Sequence, residues 1–304
     1  MKTKLYIFTA DSEGKAFELE PDKVYSLGRS KDNDIIIKDK NVSRYHLKIQ
    51  IKSDKLFIMD LNSKNGTFTN GKDITPGIKA EVQEGVPIVI GMTVMGIGEV
   101  SESSIKPLLK SAGIYSETAY DEGAITPQRV NEIKKNLECI YKVEKAFSGS
   151  TNIDEMLEMV SESIIDLLKR IDKCLVILID EKTGKVLSVI GKSRKPDDRL
   201  GKAYNKDLVE KTLMLNKPVM VADTYDKEFE DDDLTESLKI MKISSAMCVP
   251  LSNFSGTKGT IYVDSSEMPC GFRKNDLHLL SDIGSRTALA LDEKILNKTI
   301  GYNI

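Results

Sequence analysis

The sequence predicts two domains: an all-β sandwich, then an α+β domain with an antiparallel sheet flanked by helices. Three observations predict this. The first hundred residues break into short strand-like runs separated by turn residues. Helix-length periodicity begins only beyond residue 130. The chain has 304 residues, about twice the usual size of a single domain.

Within residues 1–100 the runs are LYIF (5–8), AFELE (16–20), DIIIK (34–38), HLKIQI (46–51), KLFIMD (55–60), TFT (67–69), PIVI (87–90) and TVMGI (93–97). They alternate with period two or are rich in β-branched residues, and Gly14, Pro21-Asp22, Asn62-Ser63, Asn65-Gly66 and Asn70-Gly71 punctuate them. Residues 101–130 mix Ser, Gly, Glu and Pro without a sustained period and read as a linker. From Asn131 to Phe147, Ile133, Leu137, Ile140, Tyr141 and Phe147 share a helical face. A second helix is expected from Ile153 to Ile171, with Asn152 or Asp154 near its cap. Apolar runs at 174–179, 186–190, 218–222, 246–251 and 259–263 supply the second sheet, and a helix from about Asn275 to Leu296 closes it. The expected organisation is therefore 1–100, linker 101–130, 131–297 and a tail at 298–304.

Composition narrows the function classes. With 44 basic and 47 acidic residues the net charge is -3, which lacks the cationic surplus that a nucleic-acid backbone demands. The longest apolar run, Cys174 to Ile179, is far shorter than the roughly 20 residues that span a bilayer. The first residues lack the apolar stretch of a signal peptide. A cytoplasmic protein that binds neither nucleic acid nor membrane is expected. Cys139, Cys174, Cys248 and Cys270 are widely spaced, and His46 and His278 stand near none of them in sequence, so neither a disulfide framework nor a metal site is expected.

Four pieces of the first domain bear on function: Gly28-Arg29, Ser43-Arg44-Tyr45-His46, Asn62 to Thr67 with Asn65-Gly66-Thr67 at its end, and Asn70-Gly71. In this order, inside a β-rich stretch, they resemble the forkhead-associated (FHA) domain, whose pattern is GR, SxxH, NGT and NG; the resemblance covers residues 4–98. It implies a phosphothreonine receptor. A phosphothreonine carries a charge of about -1.5 to -2 and three acceptor oxygens, so its receptor needs a guanidinium, a hydroxyl and main-chain amides. Arg29, Ser43 and the amide of Arg44 are suited to this, and loops at one end of a sandwich converge. The resemblance gives Asn65 the main chain of the bound peptide, sets Arg44 and Lys64 beside the pocket, and makes His46 an interior strut bracing the Ser43 loop. Gly28, Gly66, Asn70 and Gly71 are read as architectural. Gly66 to Lys72 also fits G-x4-G-K, but Asp73 stands where a P-loop needs Ser or Thr, and no nucleotide site is expected.

Residues 131–296 resemble a GAF domain through LVILIDEKTGKVLSVI (175–190), NKPVMVADT (216–224), SSAMCVPL (244–251), GTIYVDS (259–265) and 271–291. The resemblance implies a six-stranded antiparallel sheet and a small-molecule pocket under a connecting segment. No cofactor is identified and the ligand is not readable. Against the cyclic-nucleotide signature Phe272 and Asp276 fit, while Asp264-Ser265 replaces NK and Leu277 replaces Glu. The run Asp223 to Glu236, with eight acidic residues and one Lys, is expected as a solvated loop over that pocket. Leu137, Ile140 and Phe147, with Leu280, Ile283, Thr287, Leu291 and Ile295, are spaced either for the core or for pairing in a homodimer.

The expected function is a non-enzymatic signalling protein: a phosphothreonine-protein receptor joined to a sensory or dimerising domain. Thr118, with Asp121 three positions on, is a candidate phosphorylation site for binding to the chain itself or a second copy. Two alternatives stand beside this reading. One is an input fragment of a larger signalling enzyme or transcriptional regulator. The other is a thiol-based reductase of methionine sulfoxide, which needs two cysteines in one pocket; Cys248 and Cys270, flanking an expected hairpin, are the pair that could approach.

Overall fold

The computed structural model describes residues 3–9, 12–84, 86–98, 127–150, 152–194, 203–224, 233–266 and 272–301. The expected linker up to residue 126, Thr118, Cys270 and residues 302–304 lie outside these. The chain divides into two compact units, Met1–Tyr141 and Lys142–Ile304, each taken by itself.

The first unit is a sandwich of two sheets. One has the order β2-β1-β11-β10-β7-β8, from β1 (Thr3–Thr9), β2 (Ser12–Leu19), β7 (Thr67–Thr69), β8 (Lys72–Asp73), β10 (Ile88–Ile90) and β11 (Thr93–Ile97). The other has the order β4-β3-β5-β6-β9, from β3 (Val24–Gly28), β4 (Ile35–Ile36), β5 (Leu47–Lys52), β6 (Lys55–Asp60) and β9 (Ala80–Val82). β3, β8 and β9 were not expected from the sequence. β3 and β4 are parallel; the other pairings are antiparallel.

The two sheets bury different numbers of faces, and the sequence pattern follows. In β5 and β6, Leu47, Ile49, Ile51, Leu56 and Ile58 point into the sandwich core and alternate with less buried residues, as in a sheet with one face toward water. In β1, β10 and β11 consecutive residues are buried. Leu5, Ile7, Ile88, Ile90, Met95 and Ile97 join the core. Phe8, Val89 and Val94 point the other way, into a second cluster closed by Ile133 and Leu137 of helix α1 (Pro127–Gly149). The second domain was expected to begin at residue 131, with Ile133 in its first helix. The helix instead straddles the division, and its part up to Tyr141 belongs to the sandwich.

The second unit has an antiparallel sheet of five strands among the described residues, where six were expected. Its order is β13-β12-β16-β15-β14, from β12 (Lys173–Ile179), β13 (Val186–Ser193), β14 (Val219–Val221), β15 (Ser245–Asn253) and β16 (Gly256–Ser265). Helix α2 (Ile153–Leu167) begins at Asn152, whose side chain caps the amide of Asp154 at 2.9 Å. Helices α3 (Lys206–Leu215) and α4 (Asp233–Ile240) were not expected, and α5 (Lys274–Gly301) closes the unit. The register separates two faces. Leu175, Tyr262 and Cys248 are cross-strand partners and meet Leu208 of α3 and Leu234 and Leu238 of α4 in one cluster. Cys174, Val263 and Met247 occupy the neighbouring positions and point to the opposite face.

Part of the acidic run is not the solvated loop expected: Asp233 to Glu236 open α4, and Leu234 and Thr235 are buried. The heptad-spaced Leu137, Ile140, Leu280, Ile283, Thr287 and Leu291 are buried within the chain, and Ile295 is half exposed. No helix among the described residues is long and apolar enough to cross a membrane.

Candidate functional site

One end of the sandwich gathers the loops that carry Arg29, Ser43, Arg44, Lys64 and Asn65. The main chain aligns the first two: the amide of Arg29 donates to the Ser43 carbonyl at 2.9 Å and that of Ser30 to the Arg44 carbonyl at 3.0 Å. This close pairing explains Gly28, where a Cβ would lie 2.3 Å from the Arg44 carbonyl oxygen. Arg29 is exposed, with Nε donating to the Val42 carbonyl at 3.4 Å. The guanidinium is therefore held on the Ser43 loop.

The second loop is tied to the first from two directions. The amide of Lys64 donates to Ser43 Oγ at 2.9 Å, and Asn65 Nδ2 donates to the Asn41 carbonyl at 2.8 Å. The Asn65 side-chain amide, expected at the main chain of a bound peptide, thus has one edge on its own chain. Gly66 holds φ at +68°, and Asn70 and Gly71 (φ +53° and +74°) turn β7 into β8. Arg44, Tyr45 and Lys64 are exposed around the rim. Tyr45 donates to Asp32 at 2.9 Å, and Ser30 does the same.

Beneath the loops lies a fully buried polar core. His46, 0% exposed, accepts the Ser43 amide on Nδ1 at 3.0 Å, and its Nε2 faces the Gly66 carbonyl at 3.2 Å. Burial pushes its pKa below 6.5, against the raising influence of Asp60, the Gly66 carbonyl and Asp39. Asp60, also 0% exposed, accepts from the Ser63 amide at 2.8 Å, Ser63 Oγ at 2.6 Å and Thr67 Oγ1 at 2.6 Å. Burial raises its pKa, but those hydrogen bonds outweigh it and hold the carboxyl below its usual value. Asp39 receives the amides of Asn41 and Met92 and the hydroxyl of Thr93, fastening the Asn41 loop to the β10–β11 turn.

The sequence-predicted residues thus lie on two interlocked loops and the end of β3. The same reasoning missed Asp39, Asn41 and Asp60, which hold the loops, and Lys134, and it named Thr67 within its motif without giving it the Asp60 partner. The inward phase of β6, in which Asp60 follows Leu56 and Ile58, is the signal that could have found Asp60.

In the second unit, the side of the sheet under α3 and α4 carries a buried hydrophobic cluster among the described residues. Tyr262 is fully buried, donates to Asp264 at 2.9 Å and packs a tilted ring against Tyr204 at 6.2 Å. The positions compared with a cyclic-nucleotide signature have structural partners. Asp264 serves Tyr262, while Asp276 accepts from Arg170 at 2.7 Å and from the Arg273 amide at 2.8 Å. A groove of about 470 Å³ lies elsewhere, lined by Ile153, Leu178, Leu187, Lys258, Leu291 and Ile295 among others. Lys258 pairs there with Glu181 and with Asp292 at 2.9 Å.

Cys248 is fully buried, and burial raises its thiol to about 11, against the lowering influence of the neighbouring Thr212 and Thr260 hydroxyls. Cys174 points to the other sheet face.

Family models place an FHA domain at residues 25–91 and a GAF domain at residues 150–292. The chain carries an FHA domain followed by a GAF domain. It is 39% identical over 74 residues to the FHA domain-containing protein PS1 of Arabidopsis thaliana, covering 24% of this chain and 5% of that protein. It is 29% identical over 80 residues to the glycogen accumulation regulator GarA of Mycobacterium tuberculosis, covering 26% of this chain and 49% of the relative. The chain thus spans less than half the length of these curated relatives. The FHA domain of the CT664 protein from Chlamydia trachomatis is similar at 28% identity, over 33% of this chain and 100% of that one, with a TM-score of 0.31.

Proposed function

We propose that the protein is a non-enzymatic signalling module that captures phosphothreonine-containing proteins on its FHA domain. The observation that carries this is the interlock of Arg29, Ser43 and Asn65. A guanidinium is held on the Ser43 loop by Val42, and the Ser43 hydroxyl joins that loop to the Lys64–Asn65 loop. Such a site offers an exposed guanidinium, a hydroxyl and the remaining edge of the Asn65 amide at one end of the sandwich, which is what a phosphate ester beside an extended main chain requires. Arg44 and Lys64 add positive charge that favours acidic or phosphorylated partners.

The test is a pull-down of a degenerate phosphothreonine peptide library by the full chain and by Arg29→Ala. Selective retention by the wild type and its loss in the variant is the expected result. Equal retention of phosphorylated and unphosphorylated libraries would overturn the reading.

For the GAF domain the proposal is a sensory or pairing role in the cytoplasm. The groove beside Lys258, with its apolar wall of Ile153, Leu178, Leu187, Leu291 and Ile295, is its candidate surface. Homodimer formation through the heptad-spaced helix residues has little support, since most are already buried within the chain. Binding of phosphorylated Thr118 by the chain or a second copy follows from the same receptor chemistry. The raised Cys248 thiol, a poor nucleophile, and Cys174 on the opposite face count against the thiol-reductase alternative, while Cys270 lies outside the described residues. A role as the input part of a larger signalling enzyme or transcriptional regulator is compatible with the same receptor.

A further inference from the structure

We infer that Lys134, outside the 25–91 span of the FHA match, is a positioning residue for the phosphopeptide loop, and that the competent FHA unit of this protein is sandwich plus helix. The inference rests on the phosphothreonine reading above.

Lys134 lies on α1 between Ile133 and Leu137, the two residues that seat the helix on Phe8, Phe68, Val89, Met92 and Val94. A lysine at this place would ordinarily reach for solvent. Its side chain is only 10% exposed, and Nζ donates to the Asn65 carbonyl at 2.6 Å and to Asp73 Oδ1 at 2.6 Å. One ammonium thus joins the main chain of the peptide-facing asparagine to the strand after the NG turn.

The helix grips the same hairpin a second time. The ring of Tyr141 covers Gly71, where a Cβ would lie 2.9 Å from Cδ1. Lys134, Ile133, Leu137 and Tyr141 recur at three- and four-residue spacing and so share a helix face.

The geometry places Asn65 between two anchors. Its side chain is held by the Asn41 carbonyl on one side, and its own carbonyl is held by Lys134 on the other. Charge-assisted hydrogen bonds are the stronger kind, and the Asp73 carboxylate compensates the mostly buried ammonium. Without Lys134 the Asn65 peptide group loses its outer partner, so the loop samples other orientations and the ordering cost falls on the binding step. Linkage is reciprocal: a bound phosphopeptide that orders Asn65 tightens the seating of α1 by the same factor.

The experiment compares full-length wild type, Lys134→Met and Lys134→Arg. The Met variant keeps the apolar stem and removes the ammonium. Each is titrated with the phosphothreonine peptide recovered from the library and with its unphosphorylated twin, and amide exchange is read at residues 64–66 and in β5. The expected result is binding weakened roughly fivefold or more in Lys134→Met, with faster exchange confined to 64–66 and substantial recovery in Lys134→Arg. A Met variant that binds within twofold of wild type overturns the role of Lys134 alone. Faster exchange in β5 together with 64–66 overturns it too, since that marks general destabilisation. A wild type that does not distinguish the two peptides overturns the phosphothreonine reading and this inference with it.

Discussion

His46 accepts the amide hydrogen of Ser43 on Nδ1 at 3.0 Å, so the ring proton of the neutral imidazole sits on Nε2, facing the Gly66 carbonyl at 3.2 Å. One buried ring thereby spaces the hydroxyl-bearing loop from the asparagine-bearing loop. A protonated ring loses the Ser43 contact, because Nδ1 then carries a hydrogen of its own.

A pH dependence follows. Burial sets the folded pKa of His46 below the ordinary 6.5, with Asp60 and Asp39 pulling it up and Lys134 pressing it down. The unfolded chain takes up its proton first as pH falls. The stabilising contribution of the neutral ring is complete above about pH 6.5 and declines as pH drops from there toward the folded value. The stability gap between wild type and His46→Leu, measured by urea unfolding, should therefore narrow between pH 7.5 and pH 5. A gap that widens on acidification would contradict the tautomer assignment.

Asp60 collects three hydrogen bonds in a place without water access. Asp60→Ala leaves the Ser63 and Thr67 donors without that acceptor. The expected cost is about 1–3 kcal/mol or more of first-unit stability. Ser63→Ala removes one donor and should cost less, and urea midpoints for the two rank them.

Gly28→Ala places a methyl 2.3 Å from the Arg44 carbonyl oxygen. Main chain cannot swing aside as a side chain does, so the end of β3 and the 43–44 segment must separate, at a cost of about 1–3 kcal/mol. Because Arg29 is the next residue, phosphopeptide affinity should fall along with thermal stability. Unchanged affinity in a destabilised variant would show that Arg29 is positioned independently of this approach.

Arg29→Lys keeps the charge and removes the planar fork. Arg29 is exposed and its side chain makes one long intrachain bond, so the melting temperature should stay near that of wild type. Phosphopeptide binding should weaken about tenfold, as expected where one bidentate contact becomes a point charge. Isothermal titration beside a melting curve separates the two effects.

Cys139, Cys174 and Cys248 are all buried. Brief treatment of the native chain with iodoacetamide, followed by peptide mass mapping, should leave all three unlabelled, whereas labelling in urea should be complete. Rapid native alkylation of Cys248 would contradict its raised thiol pKa.

Much of the site was legible one residue at a time. Arg29, Ser43, His46 and Asn65 stand in short motifs whose loops the sandwich brings together, and His46 lies buried between the Ser43 amide and the Gly66 carbonyl. Asn62, Gly66, Asn70 and Gly71 marked the turns, because positive φ angles leave few residue choices. The unexpected strands β3, β8 and β9 are short or mixed, so their period is weak and only cross-strand pairing defines them. Helix α3 escaped for a similar reason: its buried Leu208, Val209 and Thr212 are sparse among polar residues.

The sequence by itself determined the order of the two domains, the loops that bear the candidate recognition residues and the burial of most of the apolar positions. It also carried an unread clue in the unbroken apolar runs of β1, β10 and β11, which mark a sheet covered on both faces. Only the tertiary structure decided what covers that outer face, a helix counted with the other domain, and what its buried lysine holds. Period and spacing report which side of an element faces inward, whereas the partner found there depends on contacts between residues far apart in the chain, such as Asn65 and Lys134.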